Sequence, residues 1–292
     1  MRRLRVLYAW PAFYATLVVL GVAELVWSVT AWATAFVLPE TTGRRIGRLF
    51  VSRLYRTCFW WTSRLGLLHV DATALDALDP RQPMIIAPNH PSVLDALILI
   101  SRLENLNCIM KASVLDNPLL GGGAKLAGYI RNDGPKRMLR LSSEDLRRGG
   151  QLIVFPEGTR TIAAPVNPFK HGFAAMARIA QVPVQTVFIE TDTPFMGKGW
   201  SVLKVPPRFP MHFRVRVGRR FEVGRDVDTF VDDLQRYFVN ELADAQLGEL
   251  WGPASVDRGD ACERPHPPAA TGLALADTNR ATFGAGARGL QR

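Results

Sequence analysis

Cysteine and charged residues are scarce in this chain of 292 residues, and their scarcity excludes several classes of protein. The three cysteines are odd in number and widely spaced, so they form neither a disulfide framework nor the close ligand pairs of a zinc site, and they indicate a reducing compartment. Because only 21% of the residues are charged and 48% are hydrophobic, a mostly disordered chain is excluded. The length is sufficient for one large α/β domain or two small ones.

Lysine is also rare, and the net charge of +10 comes from arginine, which outnumbers lysine 30 to 6. This bias is typical of phosphate and headgroup contacts, but a GC-rich genome produces it as well. A basic chain suits nucleic acid, an anionic membrane surface or a phosphorylated small molecule as partner. We expect no nucleic acid, because clustered basic and aromatic residues are missing. Residues 1–60 hold eight arginines and two glutamates, which points to membrane lipid.

The N-terminal region has a long run that is almost free of charge. Residues 6–38 contain one charged residue, Glu24. As a helix this run would measure about 50 Å, whereas a bilayer core needs about 20 residues. We expect one membrane helix or a helical hairpin that bends near Gly21 and Glu24. A buried core helix is the alternative; a signal peptide has an apolar region about half as long.

Basic residues flank this run on both sides, with the larger cluster after it. Residues 44–61 predict an amphipathic helix whose arginines contact anionic lipid, or else a helix packed on the following domain. Residues 1–62 therefore form the predicted membrane anchor. The positive-inside rule places the rest of the chain on the cytoplasmic face of the inner membrane.

Short apolar runs separated by turn residues begin near Gly66 and predict an α/β domain over residues 63–252, with a mostly parallel sheet. We predict strands over residues 67–70, 84–87, 107–110, 151–155, 184–189 and 213–217. We predict helices over residues 92–103, 119–127, 135–148, 172–179 and 227–247. Residues 253–292 are rich in Ala, Gly, Pro and Arg, and we expect a disordered tail.

Two groups of polar residues follow predicted strands, where ligand sites of open α/β sheets gather. The first runs from Asn89 to Asp95 and contains His90. With Ser92 as the N-cap of the next helix, Asp95 falls in the first helical turn. If the Asp95 carboxylate binds one imidazole nitrogen of His90, the other nitrogen is available as a base. The alternative is that Ser92 and Asp95 only cap the helix.

The second group, Phe-Pro-Glu-Gly-Thr-Arg at residues 155–160, follows the strand predicted over 151–155. Gly158 permits a tight turn, and Arg160 offers a forked donor suited to phosphate. Glu157 is placed to orient Arg160 or to bind a hydroxyl group. A turn with a surface ion pair is the alternative interpretation.

Together these motifs resemble the glycerolipid acyltransferase family of the lysophosphatidate type. The family's first motif reads Asn-His, four residues, Asp, and its third reads Phe-Pro-Glu-Gly-Thr-Arg; both are complete here. Residues 169–172 and 181–184 resemble further family segments. The second motif differs, because Arg131 comes earlier than the family's arginine, and this difference bears on the choice of acceptor. Lys136 or Arg137 could take its place.

The resemblance implies transfer of an acyl group from acyl-CoA or acyl carrier protein to the hydroxyl group of a lysophospholipid, without a metal, another cofactor or an acyl-enzyme. His90 would remove the hydroxyl proton, and Asp95 would orient His90 and stabilise the imidazolium. Arg160 would hold the acceptor phosphate. The candidate substrate-binding residues are Glu157, Gly158, Thr159, Arg160, Arg131 and Lys111.

Three functions follow as hypotheses. The first is acylation of 1-acyl-sn-glycerol 3-phosphate to phosphatidate. The second keeps this chemistry but uses a specialised acceptor, such as an ornithine lipid or an aryl-polyene precursor, which the unusual second motif and residues 195–200 favour. The third is a basic membrane-binding protein without catalysis, whose affinity would fall steeply with salt and would not depend on His90.

Overall fold

The computed structural model describes residues 2–117, 121–201, 204 and 206–247. The predicted tail, residues 253–292, lies outside these ranges. The helices are α1 (Arg2–Ala35), α2 (Glu40–Arg64), α3 (Leu94–Arg102), α4 (Ala112–Leu115), α5 (Gly121–Leu126), α6 (Pro135–Arg147), α7 (Gly172–Ala180) and α8 (Val227–Leu247). The strands are β1 (Leu68–Asp71), β2 (Met84–Pro88), β3 (Leu106–Lys111), β4 (Ile130–Asn132), β5 (Gln151–Ile153), β6 (Val184–Thr191) and β7 (Met211–Phe221).

The seven strands form one sheet in the order β1-β7-β6-β2-β5-β3-β4. Only β6 and β7 run antiparallel, and the other neighbours are parallel. This arrangement confirms the predicted α/β fold with a mostly parallel sheet. Because β2, β5, β3 and β4 are parallel, the segments that follow them emerge at the same edge of the sheet.

The sheet separates two apolar cores. Alternate side chains of β2 point to opposite faces, so Ile85 packs with α6, α7 and α8 while Ile86 packs with α1, α2 and α3. Every residue of β2 is buried, which explains why it appears in the sequence as a continuous apolar run. The predicted helices and strands are present with shifted ends, and the prediction missed β4, α4 and a 3₁₀ turn at Thr73–Ala77.

The N-terminal run is one helix rather than a hairpin. Helix α1 continues through Gly21 and Glu24 without a break, and the chain turns only at residues 36–39, before α2. A glycine inside a helix costs only about 1 kcal/mol relative to an alanine, so Gly21 does not interrupt α1. Of the two arrangements that the sequence left open, the structure has the single helix, and the helical pair consists of α1 and α2.

For the arginine-rich helix, the structure has the alternative arrangement, in which α2 packs on the following domain. Arg48 is buried and donates to Asp145 Oδ1 at 2.6 Å and to the Ala127 carbonyl at 3.0 Å. Arg56 donates to the Ser101 carbonyl, and Arg53 pairs with Glu104. Three arginines of α2 thus contact the α/β domain. Apolar side chains of α2 are exposed instead: Ile46, Leu49, Phe50, Trp60 and Trp61.

Candidate active site

A histidine and an aspartate form a hydrogen-bonded dyad directly after β2. His90 Nδ1 lies 2.9 Å from Asp95 Oδ2, which also accepts a hydrogen bond from the Ser92 backbone N–H at 2.8 Å. The Asp95 side chain is fully buried, whereas that of His90 is 16% exposed. Nδ1 is thus held by the carboxylate, and Nε2 has no hydrogen-bond partner among the described residues. This is the geometry of an oriented general base.

Burial determines the charge state of the aspartate. Removal from water raises the pKa of Asp95 to about 6, and the hydrogen bonds from His90 and Ser92 oppose this effect only in part. The second oxygen, Oδ1, is buried without a hydrogen-bond partner. A proton taken up by this carboxyl group would therefore reside on Oδ1, the oxygen without a donor.

Helix α3 begins at Leu94, two residues later than predicted, so Asp95 is its second residue. Ser92 precedes the N-cap, Val93, but its hydroxyl oxygen still accepts a hydrogen bond from the Leu94 N–H at 3.2 Å. The same hydroxyl donates to the Phe195 carbonyl at 2.9 Å. Ser92 therefore connects the helix start to a loop near the end of β6.

The loop after β5 encloses the dyad from the other side. The Phe155 ring stacks on the His90 ring at a centroid distance of 3.6 Å. The Glu157 carboxylate is buried and accepts hydrogen bonds from the His90 N–H at 3.0 Å and the Asn167 N–H at 2.8 Å. Its oxygens face the protein, so Glu157 positions the two loops, and this geometry does not support the expected contact with substrate.

Arg160 lies at the end of the same loop, and one of its three guanidinium nitrogens donates hydrogen bonds to the protein. Its Nη1 donates to the Met196 carbonyl at 2.9 Å and to the Gly197 carbonyl at 2.7 Å. Within the described residues, its Nε and Nη2 have no partner. Gly158 has a φ of +68°, and Thr159 accepts a hydrogen bond from Lys198 Nζ at 2.8 Å. One edge of the guanidinium therefore remains available to an anion.

The remaining two candidates are farther along the sheet edge. Lys111 ends β3 and is exposed. Arg131 lies on β4, the edge strand, where Asp116 pairs with it and Asp133 Oδ2 lies 3.0 Å from its Nε. Two carboxylates thus occupy the guanidinium, which argues against Arg131 as a phosphate ligand.

Sequence reasoning missed residues whose contacts depend on distant segments. Asn89 joins β2 to β6, since its amide donates to the Ile189 carbonyl at 2.9 Å and accepts from the Ile189 N–H at 2.7 Å. Its place in the first motif was the available signal. Lys198 was not among the candidate binding residues, although it belongs to residues 195–200, which favoured a specialised acceptor. Within the described residues, no group of three or more His, Cys, Asp or Glu side chains is arranged to hold a metal ion.

A mostly parallel α/β sheet that presents a His–Asp dyad and an adjacent arginine loop at its strand ends is the architecture expected of an acyltransferase. The family model described as Acyltransferase matches residues 69–190, which include both motifs. This match covers 122 of the 292 residues, so the central part of the chain is an acyltransferase domain.

Two curated relatives come from Pseudomonas aeruginosa. A lyso-ornithine lipid O-acyltransferase is 34% identical over 150 residues, which cover 47% of this chain and 58% of the relative. A 1-acyl-sn-glycerol-3-phosphate acyltransferase is 24% identical over 81% of this chain and 88% of its own length. The first alignment thus spans little more than half of that relative.

A solved structure has the same fold. The 1-acyl-sn-glycerophosphate (LPA) acyltransferase PlsC from Thermotoga maritima superposes with a TM-score of 0.61 at 19% identity. The superposition covers 87% of this chain and all of that chain. It therefore includes part of the N-terminal helical region as well as the sheet.

Proposed function

We propose that this chain transfers an acyl group from an acyl thioester to the free hydroxyl group of a lysophospholipid, with 1-acyl-sn-glycerol 3-phosphate as the leading acceptor. The single observation that carries the mechanism is the 2.9 Å contact between His90 Nδ1 and the buried Asp95 carboxylate. It supports a proton on Nδ1 and an unprotonated Nε2 that is available as a base.

In the proposed reaction, Nε2 of His90 removes the hydroxyl proton as the acceptor oxygen attacks the thioester carbonyl carbon. The new C–O ester bond forms, the C–S bond breaks, and the proton passes from the imidazolium to the departing thiolate. Asp95 orients the ring and stabilises the imidazolium. Either acyl-CoA or acyl carrier protein can supply the thioester, and the proposal requires no cofactor.

The available edge of Arg160 supports its role as the ligand of the acceptor phosphate. A guanidinium binds two phosphate oxygens through parallel N–H donors, which matches Nε and Nη2. Gly158, with its positive φ, allows the backbone to approach the ligand closely. Its neighbour Thr159 shapes the same loop.

An apolar cavity of about 170 Å³ next to the dyad supports an acyl substrate. It lies between the helical pair and the α/β domain, and it reaches Val93 and Leu94, which lie between His90 and Asp95 in the sequence. Leu17 of α1 and Phe59 of α2 also line it. An acyl chain in this cavity would hold its reactive end near His90.

We also propose that α1 and α2 hold the protein at the cytoplasmic face of the inner membrane. Helix α1 is the one described helix that is long and apolar enough to cross a bilayer, and most of its apolar segment is exposed. Its Phe13 and Trp27 nevertheless pack into the domain core, about 20 Å apart along the helix. Because α1 contacts the domain at both of these positions, the structure favours a helix that lies in the membrane surface over one that crosses the bilayer.

An assay with purified protein in phospholipid vesicles tests the proposal. We would offer acyl-CoA and acyl carrier protein thioesters with lysophosphatidate, lyso-ornithine lipid and lysophosphatidylcholine, and identify the products by mass spectrometry. We expect an ester product with at least one anionic acceptor. Thioester consumption without any acylated lipid would contradict the proposed function.

The lyso-ornithine lipid is a second candidate acceptor. Two observations favour it: the 34% identity to a lyso-ornithine lipid O-acyltransferase, and the two carboxylates that occupy Arg131. Lipid profiling of a deletion strain separates the candidates. Loss of ornithine lipid with unchanged phosphatidate would support the second acceptor, and the reverse would support the first.

A further inference from the structure

We propose that Lys198 binds the anionic headgroup of the acceptor and thereby determines acceptor specificity, an inference that rests on the proposed function. Lys198 belongs to residues 194–200, here called the clasp loop, which follows β6. The group that Lys198 would bind is an anionic oxygen, either of a phosphate monoester or of an ornithine carboxylate.

The clasp loop is attached to both catalytic motifs. From the first motif, Ser92 Oγ donates to the Phe195 carbonyl at 2.9 Å, and the Val93 N–H donates to the Met196 carbonyl at 3.1 Å. From the third motif, Arg160 Nη1 donates to the carbonyls of Met196 and Gly197. The loop thus bridges the base and the arginine of the site.

The backbone of the clasp loop is tightly turned. Met196 adopts a φ of +58°, which non-glycine residues rarely do. A Cβ atom on Gly197 would lie 3.0 Å from the Pro194 carbonyl oxygen and 3.5 Å from that of Pro91, the residue after His90. The short distance to the Pro91 carbonyl oxygen shows that Gly197, the residue before Lys198, lies beside the first motif.

The ammonium group of Lys198 has capacity for a ligand. Nζ donates one hydrogen bond, to Thr159 Oγ1 at 2.8 Å, and two donors remain. Among the described residues, no carboxylate forms an ion pair with it, in contrast to Arg131 with its two carboxylates. An exposed lysine with one neutral hydrogen bond contributes little to stability, so its charge is available for binding.

Lys198 and Arg160 together form a two-cation clamp. Thr159, which holds the lysine, directly precedes Arg160 in the loop that contacts His90. A headgroup bound by the free edge of Arg160 would therefore lie within reach of the flexible ammonium group. Two cations match the charge of a phosphate monoester, and one of them also suits a carboxylate.

The test compares Lys198→Ala with Lys204→Ala in vesicles. Lys204 is a matched control, because it has the same charge nearby and its Nζ lies over the Trp200 ring, 4.6 Å from the centroid. For Lys198→Ala we expect the KM for the anionic acceptor to rise about 10- to 100-fold, the loss expected for a hydrogen bond to a charged group. We expect kcat and the KM for the thioester to change less than threefold. Lys198→Arg should retain most of the affinity.

Comparison of the two acceptors identifies the anion that Lys198 binds. A KM effect with lysophosphatidate supports a phosphate ligand, and an effect with lyso-ornithine lipid supports a carboxylate. If the wild type transfers acyl groups while Lys198→Ala and Lys204→Ala have equal KM values for both acceptors, the role of Lys198 is refuted and the proposed function stands. If the wild type acylates neither acceptor, the proposed function fails first.

Discussion

Replacement of Asp95 by asparagine should separate the catalytic and the structural consequences of the buried carboxylate. In asparagine, the amide oxygen can take the place of Oδ2, which accepts from the Ser92 N–H and from Nδ1 of His90. The neutral amide would keep the ring oriented, but it would no longer stabilise the imidazolium that forms when Nε2 accepts the hydroxyl proton. We expect transfer to fall by about 10²–10⁴-fold, the usual contribution of a general base.

The same replacement should stabilise the fold at high pH. Burial raises the pKa of Asp95 from 3.8 to about 6, which corresponds to a penalty of about 3 kcal/mol on the charged form. Between these two pKa values the folded state binds more protons than the unfolded state, so wild-type stability falls as pH rises through this window. At pH 8 the variant should therefore be the more stable protein, by at most about 3 kcal/mol.

Thermal unfolding in detergent and release of free thiol from the thioester, both followed from pH 5 to pH 8, provide the assays. The stability difference between variant and wild type should shrink by about 1 kcal/mol toward pH 5, because protonation then relieves the wild type. Wild-type activity should fall over the same range, as the carboxylate is lost. Wild-type activity in a folded Asp95→Asn protein, or a stability difference independent of pH, would refute this reasoning.

Three further predictions concern the supports of the site. Arg48→Ala should lower the free energy of unfolding by about 3–5 kcal/mol in chemical denaturation, since it leaves a buried carboxylate unpaired. Arg53→Ala, which breaks an exposed pair, should cost at most about 1 kcal/mol. Gly123→Ala should make α1 sensitive to limited proteolysis, because the new Cβ would collide with an indole ring of α1. The control Gly21→Ala places its Cβ in open space and should leave the proteolysis of α1 unchanged. Glu157→Ala should lower kcat and thermal stability together, since two buried N–H groups lose their acceptor; a stable variant with unchanged kcat would contradict this.

The sequence predicted the contact between His90 and Asp95 because its geometry is local. His90 and Asp95 are five residues apart across a strand-to-helix turn, and the buried strand β2 is recognisable from its apolar run. The sequence left open whether residues 6–38 form one helix or two, because one glycine and one glutamate near the middle are compatible with either arrangement. In the structure, α1 is continuous and packs against the domain core.

Contacts between distant segments could not be predicted from one sequence. Periodicity shows that the arginines of α2 share a face, but it cannot show whether that face meets lipid or protein. The outcome depends on Asp145, which lies 97 residues from Arg48. Likewise, the bond from His90 to Glu157 spans 67 residues. The three-residue strand β4 is too short to produce a periodic signal.

The central claim is that His90 is the base of an acyl transfer, and one comparison tests it most directly. Ester formation from a thioester and lysophosphatidate or lyso-ornithine lipid would be measured for wild type, His90→Ala and the control His171→Ala, whose exposed ring pairs with Asp228. We predict that His90→Ala loses at least about 10²-fold in rate while it still unfolds in a cooperative thermal transition, and that the control matches the wild type. A folded His90→Ala protein that forms the ester at the wild-type rate would contradict the account.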